Sequence, residues 1–341
     1  MTWQFTSVPI HRQITPAGLS SIEAVIERHW PFAIDRRHPV NSMASKEVHG
    51  IETELNPPYK VHAPARQLAP FVFCSPHSGS IYPRHFIAQS RLDPLTLRRS
   101  EDCYVDELFQ AVPSLGAPLI AARFPRAYLD VNREPYELDP ALISDPLPDY
   151  ANAHSVRVTG GLGTVARIVA DGEEIYDEPI SLARALARIE TLYMPFHRGL
   201  TNLMEDTSRQ FGLALLIDCH SMPSAAMTRG VSSRPDFVIG DRYGASCDAR
   251  IASFIRAELA GMGYNVQMNR PYAGGYITEN YGRPTRGWHA LQIEINRGLY
   301  LNEISLERSE GFTRLLADLT AMVEAMFEEL PGRLTVRTAA E

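Results

Sequence analysis

Leu213-Ala-Leu-Leu-Ile-Asp-Cys-His220 is the most apolar strand signal in the chain, and it ends directly on a histidine. Working outward, a long helical stretch from about Pro179 to Gln210 precedes it, and strand patterns at Asp236–Gly240 and His289–Ile295 follow. The segment Ser246–Leu259 between them reads as helix, and Leu306–Leu330 closes the chain as another. Further upstream, Phe71-Val-Phe-Cys74 is a short apolar run that stops at Ser75-Pro-His-Ser-Gly79, as a buried strand stops at a loop. Asp102–Val112 has apolar residues at helical spacing, Pro118–Arg123 and Ala127–Val131 are strand-like, and Thr164–Tyr176 places Asp171-Gly172 between β-prone flanks, a hairpin signal. Strands alternating with helices predict an α/β fold with a mixed, mostly parallel central sheet flanked by helices. Ligands in such sheets sit beyond the carboxyl ends of strands, where several polar residues fall here.

The 341 residues accommodate one large α/β domain. Residues 1–65 mix proline and polar residues with one weakly amphipathic stretch, Ser20–His29, and are expected to form an extension packed on a catalytic domain spanning 66–333, with a tail at 334–341. A hydrophobic content of 45% with 21% charged residues is ordinary for a soluble protein, and no apolar run suggests a membrane span. The start lacks the basic and apolar regions of a secretory signal, so a cytoplasmic location is expected. A formal charge of −7 argues against nucleic-acid binding, so an anionic substrate must be met by local arginines. Cys74, Cys103, Cys219 and Cys247 form no C-x-x-C pair and read as reduced core thiols. Oligomeric state is left open.

His77 and His220 each follow a strand, so both imidazoles can converge at one edge of the sheet. A catalytic zinc commonly takes two histidines and a carboxylate and leaves one position for water. Asp102 and Asp106 lie one turn apart on the expected helix and either can point at such a site, although acidic residues in a first turn also stabilise a helix without any metal. Glu294 interrupts Leu291-Gln-Ile-Glu-Ile295, and a period of two puts it with Gln292 on the face opposite Ile293 and Ile295. If that face looks into a pocket, Glu294 is the general base that hydrolysis requires; otherwise it faces solvent. Asp130-Val-Asn-Arg133 offers an amide and a guanidinium after a strand, suited to clamping a carboxylate or to tying down a loop. Gly160-Gly-Leu-Gly163 lacks the spacing of a phosphate loop and reads as a turn, and neither G-x-S-x-G nor H-E-x-x-H is present.

Taken in order, Ser75-Pro-His-Ser-Gly79, Glu101-Asp-Cys-Tyr-Val-Asp-Glu-Leu108, Leu129-Asp-Val-Asn-Arg133, Met194-Pro-Phe-His-Arg-Gly-Leu200, Ile217-Asp-Cys-His-Ser-Met222, Gly275-Tyr-Ile-Thr-Glu-Asn-Tyr-Gly-Arg-Pro284 and His289-Ala-Leu-Gln-Ile-Glu-Ile295 resemble the N-formylglutamate amidohydrolase family. The resemblance covers about residues 68–330. That family is in turn similar to the zinc carboxypeptidases, which implies a zinc-exopeptidase (phosphorylase/hydrolase-like) type of fold. Carried over, His77, Asp102 and His220 bind one Zn2+, with another divalent metal as the alternative. Glu294 is the catalytic base, and Asn132 and catalytic Arg133 hold the substrate carboxylate. Arg126, Tyr276 and Arg283 contact the rest of the substrate, and His197 either supports the site from behind or lies on a helix surface. The peptidases pair their first histidine with a glutamate three residues on, where this chain has Ser80. The motif alignment therefore selects Asp102 over Glu101 or Asp106. The activity implied is hydrolysis of N-formyl-L-glutamate to glutamate and formate in histidine degradation. The alternatives are another N-acyl amino acid or small peptide cut by the same chemistry, or a catalytically silent metal- or ligand-binding protein.

Overall fold

A computed structural model describes residues 42–169, 172–225 and 234–334. The Ser20–His29 stretch, the extension up to residue 41, Asp171 of the expected hairpin and the tail from 335 lie outside them. Seven strands form one sheet in the order β1-β3-β2-β4-β7-β5-β6. They are β1 (Tyr59–His62), β2 (Phe71–Ser75), β3 (Leu119–Ala122), β4 (Ala214–Met222), β5 (Phe237–Gly240), β6 (Val266–Met268) and β7 (Trp288–Asn296). The pairs β2/β3, β2/β4, β4/β7 and β5/β6 are parallel, while β1/β3 and β5/β7 are antiparallel. This is the mixed, mostly parallel sheet expected. The edge strand β1 comes from the segment that the sequence assigns to the extension.

The main helices are α1 (Ser42–Glu54), α2 (Leu182–Arg188), α3 (Met194–Phe211), α4 (Ala249–Gly261), α5 (Tyr276–Tyr281) and α6 (Gly311–Leu334). Among the described residues no helix is long and apolar enough to cross a membrane. Leu215, Ile217 and Cys219 of β4 and Leu291, Ile293 and Ile295 of β7 point to one face, where they pack with Ile251, Ile255 and Leu259 of α4 and with Leu319 and Met322 of α6. Burying each such aliphatic side chain contributes about 1.5–3 kcal/mol, so this face holds the sheet to its helices. Residues at the alternate positions, Asp218, His220, Gln292 and Glu294, share the opposite face, because strand side chains alternate. α3 lies against β2, β3 and β4, and α5 against β4 and β7.

Between α2 and α3 the helix carries a π-turn at Ile189–Tyr193. α1 is tied to α2 through Glu47, whose carboxylate accepts from Arg188 Nε (2.6 Å), Arg184 Nε (2.9 Å) and the Tyr128 hydroxyl (2.6 Å). The Arg188 guanidinium lies 4.0 Å over the Tyr128 ring and is fully buried.

Several expected elements change form. The helix expected at Asp102–Val112 is two short turns, Val105–Leu108 and Val112–Leu115, because Tyr104 adopts a left-handed φ of 63° and Pro113 has no N–H to carry the ladder through. Asp102 therefore sits in a loop, not at a helix start. Ala127–Val131 is a buried loop rather than a strand, with its carbonyls claimed by side chains: Arg188 NH1 donates to Tyr128 O and His197 Nε2 to Val131 O. Of the hairpin expected at 164–176, the described residues show an isolated antiparallel bridge between Ile168 and Glu174. β4 does not stop at His220 but runs on to Met222, since β7 continues beside it as far as Asn296.

Candidate metal centre and substrate cleft

His77 lies two residues past the end of β2, in a loop held close to the sheet. A Cβ on Gly79 would stand 2.2 Å from Phe124 O, so only glycine permits that approach. The Asp102 amide donates to His77 O (3.0 Å), which brings its loop beside the histidine. His220 arrives from β4, and its Cα pairs in register with Glu294 of β7. His77, Asp102 and His220 are buried, and one ligand atom from each lies within 4.8 Å of the others.

Asp102 is oriented by its two oxygens. Oδ1 accepts from Arg297 NH2 (3.0 Å) and from the Ser221 hydroxyl (3.2 Å), while Oδ2 faces His220 Nδ1 (3.0 Å) and His77 Nδ1 (3.4 Å). His77 Nε2 is held by Asp130 Oδ1 at 2.7 Å. His77 Nδ1 is buried without a hydrogen-bond partner, and it points to the same place as His220 Nδ1 and Asp102 Oδ2. Two imidazole nitrogens and one carboxylate oxygen converging on a space that leaves one of them unsatisfied is the donor set of a divalent-cation site, and the residues present fit a metal ion.

The electrostatics agree. Burial alone would push the Asp102 carboxyl up, but the bond from His220 and the His77 and His220 rings beside it hold it well below the usual range. Burial likewise works against charge on His220, yet Asp218 and Asp102 raise it well above an ordinary histidine. Asp130 is held low, against its own burial, by Arg133, His77 and Arg126. Glu294 differs from these acids. Burial lifts it to about 7, with His220 lowering it and Asp102 raising it further, and Gln292 Nε2 donates to its Oε1 at 2.8 Å. A buried carboxylate poised near neutrality beside such a cluster has the character of a general base.

Asn132 reaches the cluster from the 130–133 loop, with its Nδ2 3.2 Å from His220 Nε2 and its Oδ1 accepting from Ile277 N (2.7 Å). Gly275 makes room for it, since a Cβ there would stand 2.4 Å from the carboxamide. Arg126 Nε bonds Asp130 Oδ2 (3.1 Å) while the side chain stays about a quarter exposed at 26%. Arg133 is turned inward: Nε donates to Leu162 O, NH1 to Asn132 O, and NH2 stands 3.5 Å from Asp130 Oδ2. Its partner Leu162 comes from the Gly160–Gly163 turn. Tyr276 and Arg283 line a separate open cavity of about 390 Å³ together with Glu134, Glu137, Arg157 and Glu279. His197 is buried, not on the helix surface, and stacks on Tyr281.

Of the three acids that the sequence offers as a ligand, Glu101 bonds Tyr82 and Arg98, Asp106 lies away from the cluster, and only Asp102 joins it. Asp218 and Arg297 went unremarked in the sequence. Asp218 carried a readable signal, an acid two residues before His220 in the most apolar strand.

A mostly parallel α/β sheet with two histidines and an aspartate gathered at its edge, and a buried glutamate on the neighbouring strand, has the framework of a hydrolase. Residues 69–301 match the family model described as N-formylglutamate amidohydrolase. The N-formylglutamate deformylases of Pseudomonas aeruginosa and Pseudomonas putida are each 29% identical to this chain over 232 residues, covering 67% of it and 79% of their own length. The crystal structure of N-formylglutamate amidohydrolase from Ralstonia eutropha JMP134 superposes with a TM-score of 0.76 at 37% identity, over 80% of this chain and 97% of that one. The chain belongs to the N-formylglutamate amidohydrolase family and is a hydrolase acting on an amide bond.

Proposed function

We propose that the protein hydrolyses N-formyl-L-glutamate to glutamate and formate with zinc held by His77, Asp102 and His220. The observation that carries this reading is the buried, unpartnered His77 Nδ1 facing Asp102 Oδ2 and His220 Nδ1. The names of the relatives support the substrate. Bound there, a divalent ion would polarise the amide carbonyl and acidify a water molecule.

The remaining steps belong to the protein. Glu294 takes the proton from water as the carbonyl carbon is attacked, then delivers it to the departing amine nitrogen, which suits a carboxyl lifted to about 7. Asn132 donates from its amide to the substrate, and Arg126 supplies positive charge to a substrate carboxylate from its exposed side. Arg133 acts beside them, aligning Asn132 through the bond from NH1 to Asn132 O. Tyr276 and Arg283 meet the distal end of the substrate. Asp130 keeps the His77 ring fixed. Fixing amide and water in this way turns hydrolysis into a positioned event.

The test is release of glutamate from N-formyl-L-glutamate by purified protein, before and after chelation and with zinc restored, alongside N-acetyl-L-glutamate and N-formyl-L-aspartate. Chelator-sensitive turnover of N-formyl-L-glutamate above the other two is expected. Equal or better turnover of another acyl amino acid would remove the substrate assignment, and turnover indifferent to chelation would remove the metal.

A further inference from the structure

Asp218 is the one acid at the cluster that the mechanism above does not use. It lies in the middle of β4, between Cys74 of β2 and Gln292 of β7, and is fully buried. Neither of its carboxylate oxygens has a hydrogen-bond partner. A buried carboxylate in that state is costly enough to need an explanation. His220 Nε2 stands 2.9 Å from Asp218 Oδ2.

The same nitrogen has a second neighbour, Asn132 Nδ2 at 3.2 Å. Because Asn132 Oδ1 accepts from Ile277 N, the carboxamide turns its NH2 toward the ring. His220 Nε2 therefore has an acceptor on one side and a donor on the other. Where the ring carries its proton decides which of them it can use. A ligand bond from Nδ1 needs the lone pair there, so the proton must sit on Nε2, where Asp218 can accept it and Asn132 cannot donate.

We infer that Asp218 is a positioning residue that holds the His220 proton on Nε2, aiming the Nδ1 lone pair at the divalent-cation site and leaving the Asn132 amide N–H for a substrate oxygen. This rests on the metal-site reading of His77, Asp102 and His220. His77 has the matching arrangement, with Asp130 accepting at its Nε2, so each histidine is backed by its own buried acid. Without the carboxylate at 218, the ring is free to take the other tautomer, donating from Nδ1 to Asp102 Oδ2 and accepting from Asn132 Nδ2. Metal affinity and the Asn132 contact are then lost together.

The experiment is a chelator-competition measurement of zinc affinity for wild type and Asp218→Asn, with thermal melting of the zinc-free forms and KM at saturating zinc. Expected are a zinc affinity lower by about 10- to 100-fold, a raised KM and a melting temperature little changed. A folded Asp218→Asn protein that binds zinc as the wild type does would overturn the inference. Should the variant fail to fold, histidine 15N NMR of zinc-loaded wild type decides: His220 protonated at Nε2 and ligating through Nδ1 upholds it, and ligation through Nε2 overturns it. Wild type that binds no zinc sinks the metal site itself, a failure seen in the same titration and distinct from an unchanged variant.

Discussion

Glu47 and Asp102 are both buried carboxylates ringed by cations and imidazoles, yet their surroundings are completed in different ways. Glu47 receives two arginines, a tyrosine hydroxyl and His85 Nε2 at 3.2 Å, so both its oxygens are answered from within the chain. Asp102 has one oxygen answered, by Arg297 and Ser221, while the other is shared by two histidines of which one keeps an unused nitrogen. Leftover atoms exist near Glu47 too, on His85 and Arg188, but among the described residues three ligand atoms converge only at His77, Asp102 and His220. The first cluster is a joint between α1 and the α2 wall. The second gathers the donor atoms that a metal ion takes, and that is what separates it from a joint.

The contrast can be broken most forcefully at the site. Glu294→Gln should lower kcat for N-formyl-L-glutamate by about 10²- to 10⁴-fold while zinc content by metal analysis stays at the wild-type level. Loss of zinc along with activity would make Glu294 part of the metal's support rather than the base. At the joint, Glu47→Ala should cost about 3–5 kcal/mol in urea unfolding, because it leaves two buried arginines without their counter-ion. The folded fraction should bind zinc as before, and a parallel fall in zinc affinity would show the two clusters to be coupled.

Acid distinguishes the two in opposite ways. Burial opposes charge on Glu47, but Arg188 leads the interactions that hold its carboxyl well below the ordinary value of 4.5. Its folded-state value is depressed, so its contribution is present above that ordinary value and lost as pH falls below it. Unfolding followed from pH 6 to about pH 3 should show this loss, and Glu47→Gln should flatten it. Glu294, raised to about 7, favours folding when protonated and works only when ionised. The kcat/KM profile should therefore rise about tenfold per pH unit on the acid side and level off near neutrality, while stability falls as pH rises over the same range. A profile flat from pH 5 to 8 would exclude Glu294 as the base. The smallest change expected is Tyr193→Phe, which removes the 2.7 Å bond to Arg133 O at a cost of about 1 kcal/mol in urea unfolding.

The chain offers His77, His220 and Glu294 as candidates: apolar runs precede both histidines, and a period of two puts Glu294 opposite Ile293 and Ile295 without deciding between pocket and solvent. Asp102 is another matter. Local pattern leaves Glu101, Asp102 and Asp106 as equals, and ordered motifs rather than physics selected among them. What chooses physically is the left-handed Tyr104 together with Arg297 and Ser221, which approach from 195 and 119 residues away in sequence. The same applies to Ala127–Val131, whose apolar residues read as a strand because pattern reports burial but not which partner takes the carbonyls. Arg133 reads as a clamp for substrate, and what the sequence does not show is that its guanidinium also bonds Leu162 O and Asn132 O.

The π-turn at Ile189–Tyr193 has a consequence for how this scaffold can change. Before it, Arg184 and Arg188 are aimed at Glu47; at its end and beyond, Tyr193 and His197 are aimed at the carbonyls of Arg133 and Val131. In an unbroken α-helix each residue turns the next by about 100°, so deleting a single residue within the turn would give a more regular helix with everything downstream swung off target. The extra residue acts as a phase adjuster, letting one helix address two partners that a regular spiral cannot reach at once.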